Sequence, residues 1–279
     1  MTLLLLACAD PGAPSLDSGD SSVPQRGNGV TALAAGGFHS CVLRDGEASC
    51  WGAEGAMDYG QADPRPGPFT AIEAGLSHTC ALSGADILCW GNDAFGQSGP
   101  PLGPTFTALA TGDYHSCGLT DQGAVRCWGS DDQGQSSSPE GLFIAVAAGH
   151  THSCALDPGG QPACWGSLQT APEGPFTAID AGQDYSCGLR ANGEVACWGE
   201  VLPILDIAVL SQPATAFSAG PEAICALLED QHPVCVGGLD APEGPFTQVA
   251  TGAEHACALS DQEGAPVQCW GDDRFNQVP

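Results

Sequence analysis

The stretch Cys41–Gly52, CVLRDGEASCWG, preceded by GGFHS at 36–40, decides the fold. Two cysteines bracket a short apolar run, a turn and a return, and Trp-Gly follows at once. Asp-Gly is among the best dipeptides for a two-residue hairpin turn. With Asp45-Gly46 as that turn, Arg44 faces Glu47, Leu43 faces Ala48, Val42 faces Ser49 and Cys41 faces Cys50. Counted outward from the pair that closes the turn, the cysteines fall on a non-hydrogen-bonded pair, where Cα atoms approach most closely, so they can bond.

The pattern returns seven times. Its leading cysteines are Cys41, Cys80, Cys117, Cys154, Cys187, Cys225 and Cys257, at intervals of 39, 37, 37, 33, 38 and 32 residues. Their partners are Cys50, Cys89, Cys127, Cys164, Cys197, Cys235 and Cys269. A period of this size marks a repeat architecture. The second copy keeps a two-residue turn, Gly84-Ala85. Three copies lengthen it by one residue with a glycine at or beside the centre: Asp121-Gln122-Gly123, Pro158-Gly159-Gly160 and Ala191-Asn192-Gly193. The sixth, centred on Asp230, lacks the glycine, and the seventh has a longer loop around Glu263.

The fifteen cysteines therefore divide into seven facing pairs plus Cys8. Cysteines opposed seven times over predict seven disulfides and an oxidising compartment. A zinc site is the weaker reading, because no second pair and no His-x-x-x-His accompanies any of them. In the chain-entropy model each ring of ~10 residues stabilises by roughly 2–3 kcal/mol.

The net charge is −27, all six basic residues are arginines, and there is no lysine. That excludes a Walker-type phosphate loop and a lysine Schiff base. It also opposes binding to nucleic acid or to an anionic membrane surface, so a charged partner should be basic. The 39 glycines and 22 prolines accompany 43% hydrophobic residues, and the glycines are periodic, which fits turns in an all-β fold.

Along the chain, MTLLLLACAD (1–10) carries Leu5-Leu6-Ala7-Cys8, similar to a bacterial lipobox whose cysteine becomes lipidated. It lacks the basic region and longer apolar segment of a full signal, so residues 1–8 read as a truncated signal segment with the true start further upstream. Residues 9–29 are rich in Pro, Gly, Ser and Asp and read as a flexible tether. From residue 30 to 279 each unit offers three strand-like runs. The first is VTALAAG at 30–36, repeated as FTAIEAG (69–75), FTALATG (106–112), FIAVAAG (143–149), FTAIDAG (176–182) and FTQVATG (246–252). Three short strands per repeat, seven times over, should pack as radial blades. Small residues in the first strand suit the crowded axis, and Trp suits the interface between blades.

The pattern A-G-x-x-H-[ST]-C-x-L…G…C-W-G-x-[ND]-x-x-G-Q, almost whole at Ala74–Gln97, resembles the regulator of chromosome condensation repeat, a seven-bladed β-propeller. The short period and the closing WGDDRFNQVP (270–279) look most like its compact bacterial branch, which includes the propeller-type beta-lactamase inhibitor protein. The resemblance implies an all-β fold of three-stranded antiparallel blades. Copy five replaces the histidine with Tyr185; copy six has Ala223 for the histidine and Val236 for the tryptophan.

Five histidines, His39, His78, His115, His152 and His255, stand two residues before the leading cysteines. Equivalent positions on different blades lie too far apart to share a metal, since even packed sheets are ~10 Å apart, so a structural hydrogen bond to a neighbouring turn is expected. His150 and His232 fall outside the pattern and read as surface residues. The acidic turns Asn92-Asp93, Asp131-Asp132 and Asp272-Asp273 lack a D-x-D-x-D-G calcium loop and read as Asx turns. Gln61, Gln97, Gln135 and Gln277 are expected to bond the backbone of the next turn. No catalytic motif is visible, and neither cofactor nor metal is expected. Two regions are candidate binding surfaces: the loops after Trp-Gly, with Met57, Tyr59, Phe95, Arg274 and Phe275, whose aromatics the family resemblance implies pack inside the loop instead, and the apolar insertion VLPILDIAVL (201–210), with Leu202, Ile204 and Leu205. The insertion is expected either to be exposed or to tuck over blades five and six in place of the missing tryptophan.

Together these readings predict a non-catalytic, monomeric binding scaffold. It would be secreted or a lipid-anchored outer-membrane or cell-surface protein, displaying its loops to a protein or glycan partner, with membrane contact only through the lipid at Cys8. The rival expectations are an envelope glycan-active enzyme and, by family resemblance, guanine-nucleotide exchange.

Overall fold

In the computed structural model, residues 29–200, 205, 210, 212–261 and 266–278 are described. They form seven three-stranded antiparallel sheets, each with its strands side by side in chain order. The first blade is β1 (Val30–Ala35), β2 (His39–Arg44) and β3 (Glu47–Gly52); the others occupy 71–91, 106–129, 145–166, 178–199, 214–236 and 248–271. No helix among the described residues is long and apolar enough to cross a membrane.

Turn chemistry sets the register. Asp45 and Gly46 have φ of 51° and 81°, the two positive values that a type I′ turn needs. They pair Arg44 with Glu47, Leu43 with Ala48, Val42 with Ser49 and Cys41 with Cys50. In the three-residue hairpins the positive φ falls on Gly123, Gly160 and Gly193, and in the sixth copy, without glycine, Gln231 takes it at 67°. All seven facing pairs are disulfides, with Cα atoms 4.0–4.1 Å apart. The loop around Glu263 lies outside the described residues.

The sheets pack face to face around an axis. Tryptophans fill the interfaces: Trp90 of the second blade packs with Phe69 and Ile72 against Ala32 and Leu43 of the first. Leu33 and Val42 of blade one meet Ala250 and Leu259 of blade seven, closing the ring. Because β1 pairs within its own sheet, closure joins two complete blades and needs no shared strand. At the axis, the glycine that ends each inner strand abuts the next blade. A Cβ added to Gly112 would lie 2.2 Å from the Gly149 carbonyl oxygen, and one on Gly252 would lie 2.4 Å from that of Gly36.

Blade six is regular despite losing its Trp and His. Leu205 and Leu210, the described residues of the apolar insertion, are buried with Val195, Phe217 and Val236 in the core shared by blades five and six. Leu205 thus serves packing and is not on the outer surface. Leu202 and Ile204 lie outside the described residues.

Candidate binding face

Inner strands run toward the glycine turns, middle strands run away from them to the hairpins, and outer strands return. The glycine turns and the Trp-Gly loops therefore share one face of the disc, and the hairpins lie on the other. The four Gln-ended loops of the first face follow blades seven, one, two and three.

Beneath that face the repeated polar residues form one circuit. Each histidine Nε2 meets a hydroxyl on the middle strand of the next blade: His39 with Thr79 at 2.7 Å, His78 with Ser116 at 2.8 Å, His115 with Ser153 at 2.7 Å, His152 with Ser186 at 2.8 Å. His255 meets Ser40 at 2.8 Å and carries the circuit across the ring closure. These partners sit on the neighbouring strand and not in a turn, a correction to the sequence expectation. Thr79, Ser116, Ser153 and Ser40 donate in turn to the carbonyls of Gln61, Gln97, Gln135 and Gln277. A hydroxyl has one proton, so in these four pairs the histidine must donate from Nε2, which fixes the neutral tautomer. Burial lowers His39 and His115 to about 3 and His78, His152 and His255 to about 4, in keeping with uncharged rings.

The same glutamine carbonyls accept the indole N–H of the next blade: Trp90 to Gln61 at 3.0 Å, Trp128 to Gln97 at 2.8 Å, Trp165 to Gln135 at 2.8 Å and, across the closure, Trp51 to Gln277 at 2.8 Å. The glutamine side chains turn back into their own loops. Their Oε1 atoms accept from the amides of Tyr59, Phe95, Gln133 and Phe275. The expected bond to the backbone of the next turn is not made: the glutamine carbonyl takes side chains on two strands of the next blade, while the side-chain amide shapes its own loop. The acidic turns brace the same loops: Asn92 accepts from the Ala94 amide, and Asp93, Asp131 and Asp273 from those of Ser98, Ser136 and Val278.

This bracing holds aromatic side chains at the surface. Tyr59 and Phe95 are each 51% exposed. Phe95 lies edge-on to Tyr114 at 5.3 Å, and Tyr114 edge-on to His150 at 5.6 Å. Phe275 meets Phe38 at 5.0 Å. Arg274 pairs with Glu254 and Asp272. His150 is half-buried, not simply superficial: its Nδ1 bonds Asp113 on the preceding blade, and that hydrogen bond raises its pKa. His232 is exposed beside Asp230. The circuit histidines are all buried and converge on no common point, and among the described residues no three His, Cys, Asp or Glu side chains are placed to hold a metal ion.

Sequence reasoning overlooked Phe38, Asp113 and Tyr114 and took His150 for a plain surface residue. They are the first and second residues after the axial glycines, positions that vary from copy to copy between constant neighbours, and that variation was the available signal.

These features define a closed, disulfide-stapled seven-bladed β-propeller whose constant polar residues serve the framework and whose variable residues line one face. The regulator of chromosome condensation (RCC1) repeat model matches residues 106–135, 176–200 and 246–277. The ectodomain of the Physcomitrella patens receptor kinase CR4 is 30% identical with a TM-score of 0.75, the match covering 87% of this chain and 74% of that one. The chain belongs to the RCC1 repeat family. It is also similar to the ectodomain of the Arabidopsis thaliana receptor kinase ACR4, at 26% identity and a TM-score of 0.75 over 90% of this chain and 98% of that one. Prp20p of Saccharomyces cerevisiae, described with its binding to Gsp1p and histones, shares the fold at 19% identity and a TM-score of 0.55, over 89% of this chain and 73% of that one. No curated protein sequence matches the chain.

Proposed function

We propose that this propeller is a non-catalytic binding module that works outside the reducing cytoplasm, secreted or held at the cell envelope through a lipid on Cys8, with residues 9–29 as the tether. It presents the Trp-Gly loop face to a protein partner. One observation carries this reading. The repeated histidines, hydroxyls and glutamines are consumed by the framework, while Tyr59 and Phe95 stay exposed on loops whose backbones that framework fixes. Rigid aromatic side chains bind with little loss of conformational freedom and are the common anchors of protein interfaces. Seven disulfides favour an oxidising compartment.

The test is a photo-crosslinking amino acid placed at Phe95 or, on the hairpin face, at Asp86, in the organism that makes the protein. Adducts from position 95 that disappear with Tyr59→Ala support the reading; equal adducts from both positions overturn it. The intact mass of the native protein, alkylated with and without reduction, tests the compartment. Thiols that alkylate without reduction would remove the case for export.

A further inference from the structure

We infer that the segment recognised by this face is cationic and amphipathic: its apolar residues lie on an aromatic arc over blades one to three, and its Arg or Lys side chains on a carboxylate arc over blades five to seven. The inference rests on the loop face being the binding face.

One repeat position writes the division. The second residue after the axial glycine is Phe38 and Tyr114 on blades one and three, but Asp184, Glu222 and Glu254 on blades five, six and seven. In the loops Tyr59 and Phe95 stand on one side and Asp272 and Asp273 on the other, but Asp93, Asp131 and Asp132 accompany the first pair and Arg274 and Phe275 the second, so the division is carried by the position after the axial glycine. Between blades six and seven the carboxylate arc holds a cavity of about 260 Å³, with Ala223, Gly238 and Leu239 beside Glu222, Glu254 and Asp272. It lies where blade six lacks a Gln-ended loop. At four other interfaces Gln277, Gln61, Gln97 or Gln135 lies against the Trp-Gly glycine of the next blade, whereas here Leu239 does, 2.9 Å from a Cβ built on Gly271.

An apolar wall beside carboxylates matches a side chain with a methylene stem and a cationic head. Arg274 already shows the chemistry, laying its guanidinium against Glu254 and Asp272. Among the described residues no basic side chain pairs with Glu222. The other described arginines lie away from these loops: Arg44, Arg126 and Arg190 at the hairpin ends of their blades, and Arg65 bridged to Ala48. A chain of net charge −27 steers cations toward it, and exposed Tyr59 and Phe95 can take both apolar groups and a cation over the ring face.

The probes are three short synthetic peptides of leucine and tryptophan interspersed with arginine, glutamine or glutamate, titrated calorimetrically into the full chain at low and physiological salt. The arginine peptide should bind, the glutamine peptide ~10-fold more weakly and the glutamate peptide not at all, because each exposed ion pair is worth a fewfold. Combined Asp184→Asn, Glu222→Gln and Glu254→Gln should weaken the arginine peptide by ~10-fold and flatten its salt dependence. The same number of neutralisations on the hairpin face, Glu47→Gln, Asp86→Asn and Asp121→Asn, should change it by less than ~2-fold. Equal binding of the arginine and glutamine peptides, no binding of the arginine peptide, or indifference to the loop-face neutralisations overturns the cationic partner. Tyr59→Ala with Phe95→Ala separates the two levels. If charge is irrelevant but these substitutions still abolish binding, of a peptide or of a glycan, the binding face survives; if they too are silent, it falls as well.

Discussion

Lowering the pH from 7 to 5 should loosen the propeller through its buried histidines. In the unfolded chain each titrates near 6.5; in the ring burial holds His39 and His115 at about 3 and His78, His152 and His255 at about 4. Between those values the unfolded state binds the extra protons, so stability is full above 6.5 and falls as pH drops toward 4. At pH 5 each ring costs about 2 kcal/mol, and the five together on the order of 9 kcal/mol. Two effects oppose this. Burial raises the pKa of Asp180, whose protonation favours the folded state, and acid reduces the self-repulsion of a strongly anionic chain. A difference between two proteins removes both. His78→Gln deletes one titrating ring, so its loss of stability between pH 7 and 5, from urea unfolding with disulfides intact, should be smaller than that of the parent by about 2 kcal/mol. Long-range nitrogen–proton spectra of the parent should show five neutral rings, with His39, His78, His115 and His255 protonated at Nε2, down to pH 5. Rings that titrate near 6.5, or equal pH losses in the two proteins, would refute the circuit as the seat of the acid sensitivity.

The indoles offer a matched comparison. Trp90→Phe removes a donor from the Gln61 carbonyl, whereas the buried Nε1 of Trp270 has no partner among the described residues, so the first substitution should destabilise by about 1–2 kcal/mol more than Trp270→Phe in denaturant titrations. Gln231→Gly, at φ 67°, should raise the unfolding midpoint, by about 0.5–1 kcal/mol of stability, because glycine alone takes this conformation freely. Gly112→Ala would set a Cβ 2.2 Å from the Gly149 carbonyl oxygen, and size-exclusion chromatography should show loss of the monodisperse folded species.

What could be read from the sequence was what lies within one repeat. A two-residue turn fixes every pairing outward from it, so the facing of Cys41 and Cys50 followed from counting alone. What could not be read lies between repeats. The partner of His78 is Ser116, 38 residues away, and finding it requires knowing how far adjacent blades are offset along the axis. The glutamines misled for the same reason: their side chains close local rings around the Tyr59 and Phe95 amides, while their carbonyls make the long-range bonds. The aromatic run from Phe95 through Tyr114 to His150 joins a loop to the glycine turns of two later blades, so no single stretch of sequence displays it.

The departures from the repeat obey the circuit. Since each histidine serves a hydroxyl on the following blade, losing the histidine of blade n leaves the hydroxyl of blade n+1 without purpose. Blade five has Tyr185 in place of histidine, and blade six has Ile224 where the hydroxyl would stand; blade six has Ala223, and blade seven has Ala256. Donor and acceptor disappear together, so no hydroxyl of the circuit is left without its histidine, and Tyr185 instead donates to the Gly220 carbonyl at 2.7 Å. The tryptophans obey the companion rule less completely. Blades four, five and six have no Gln-ended loop, and Trp198 and Trp270, on the blades after four and six, have indole nitrogens with no acceptor among the described residues. Near the Trp-Gly glycines of those blades stand Leu168 and Leu239, where a glutamine backbone lies elsewhere. The two unsatisfied donors mark the part of the ring where the Gln-ended loop is gone, and at the second of them the cavity beside Glu222 opens. There the ring forgoes two framework hydrogen bonds, and the surface gains a recess lined by carboxylates, as expected if the shape of the binding face outweighs the regularity of the ring.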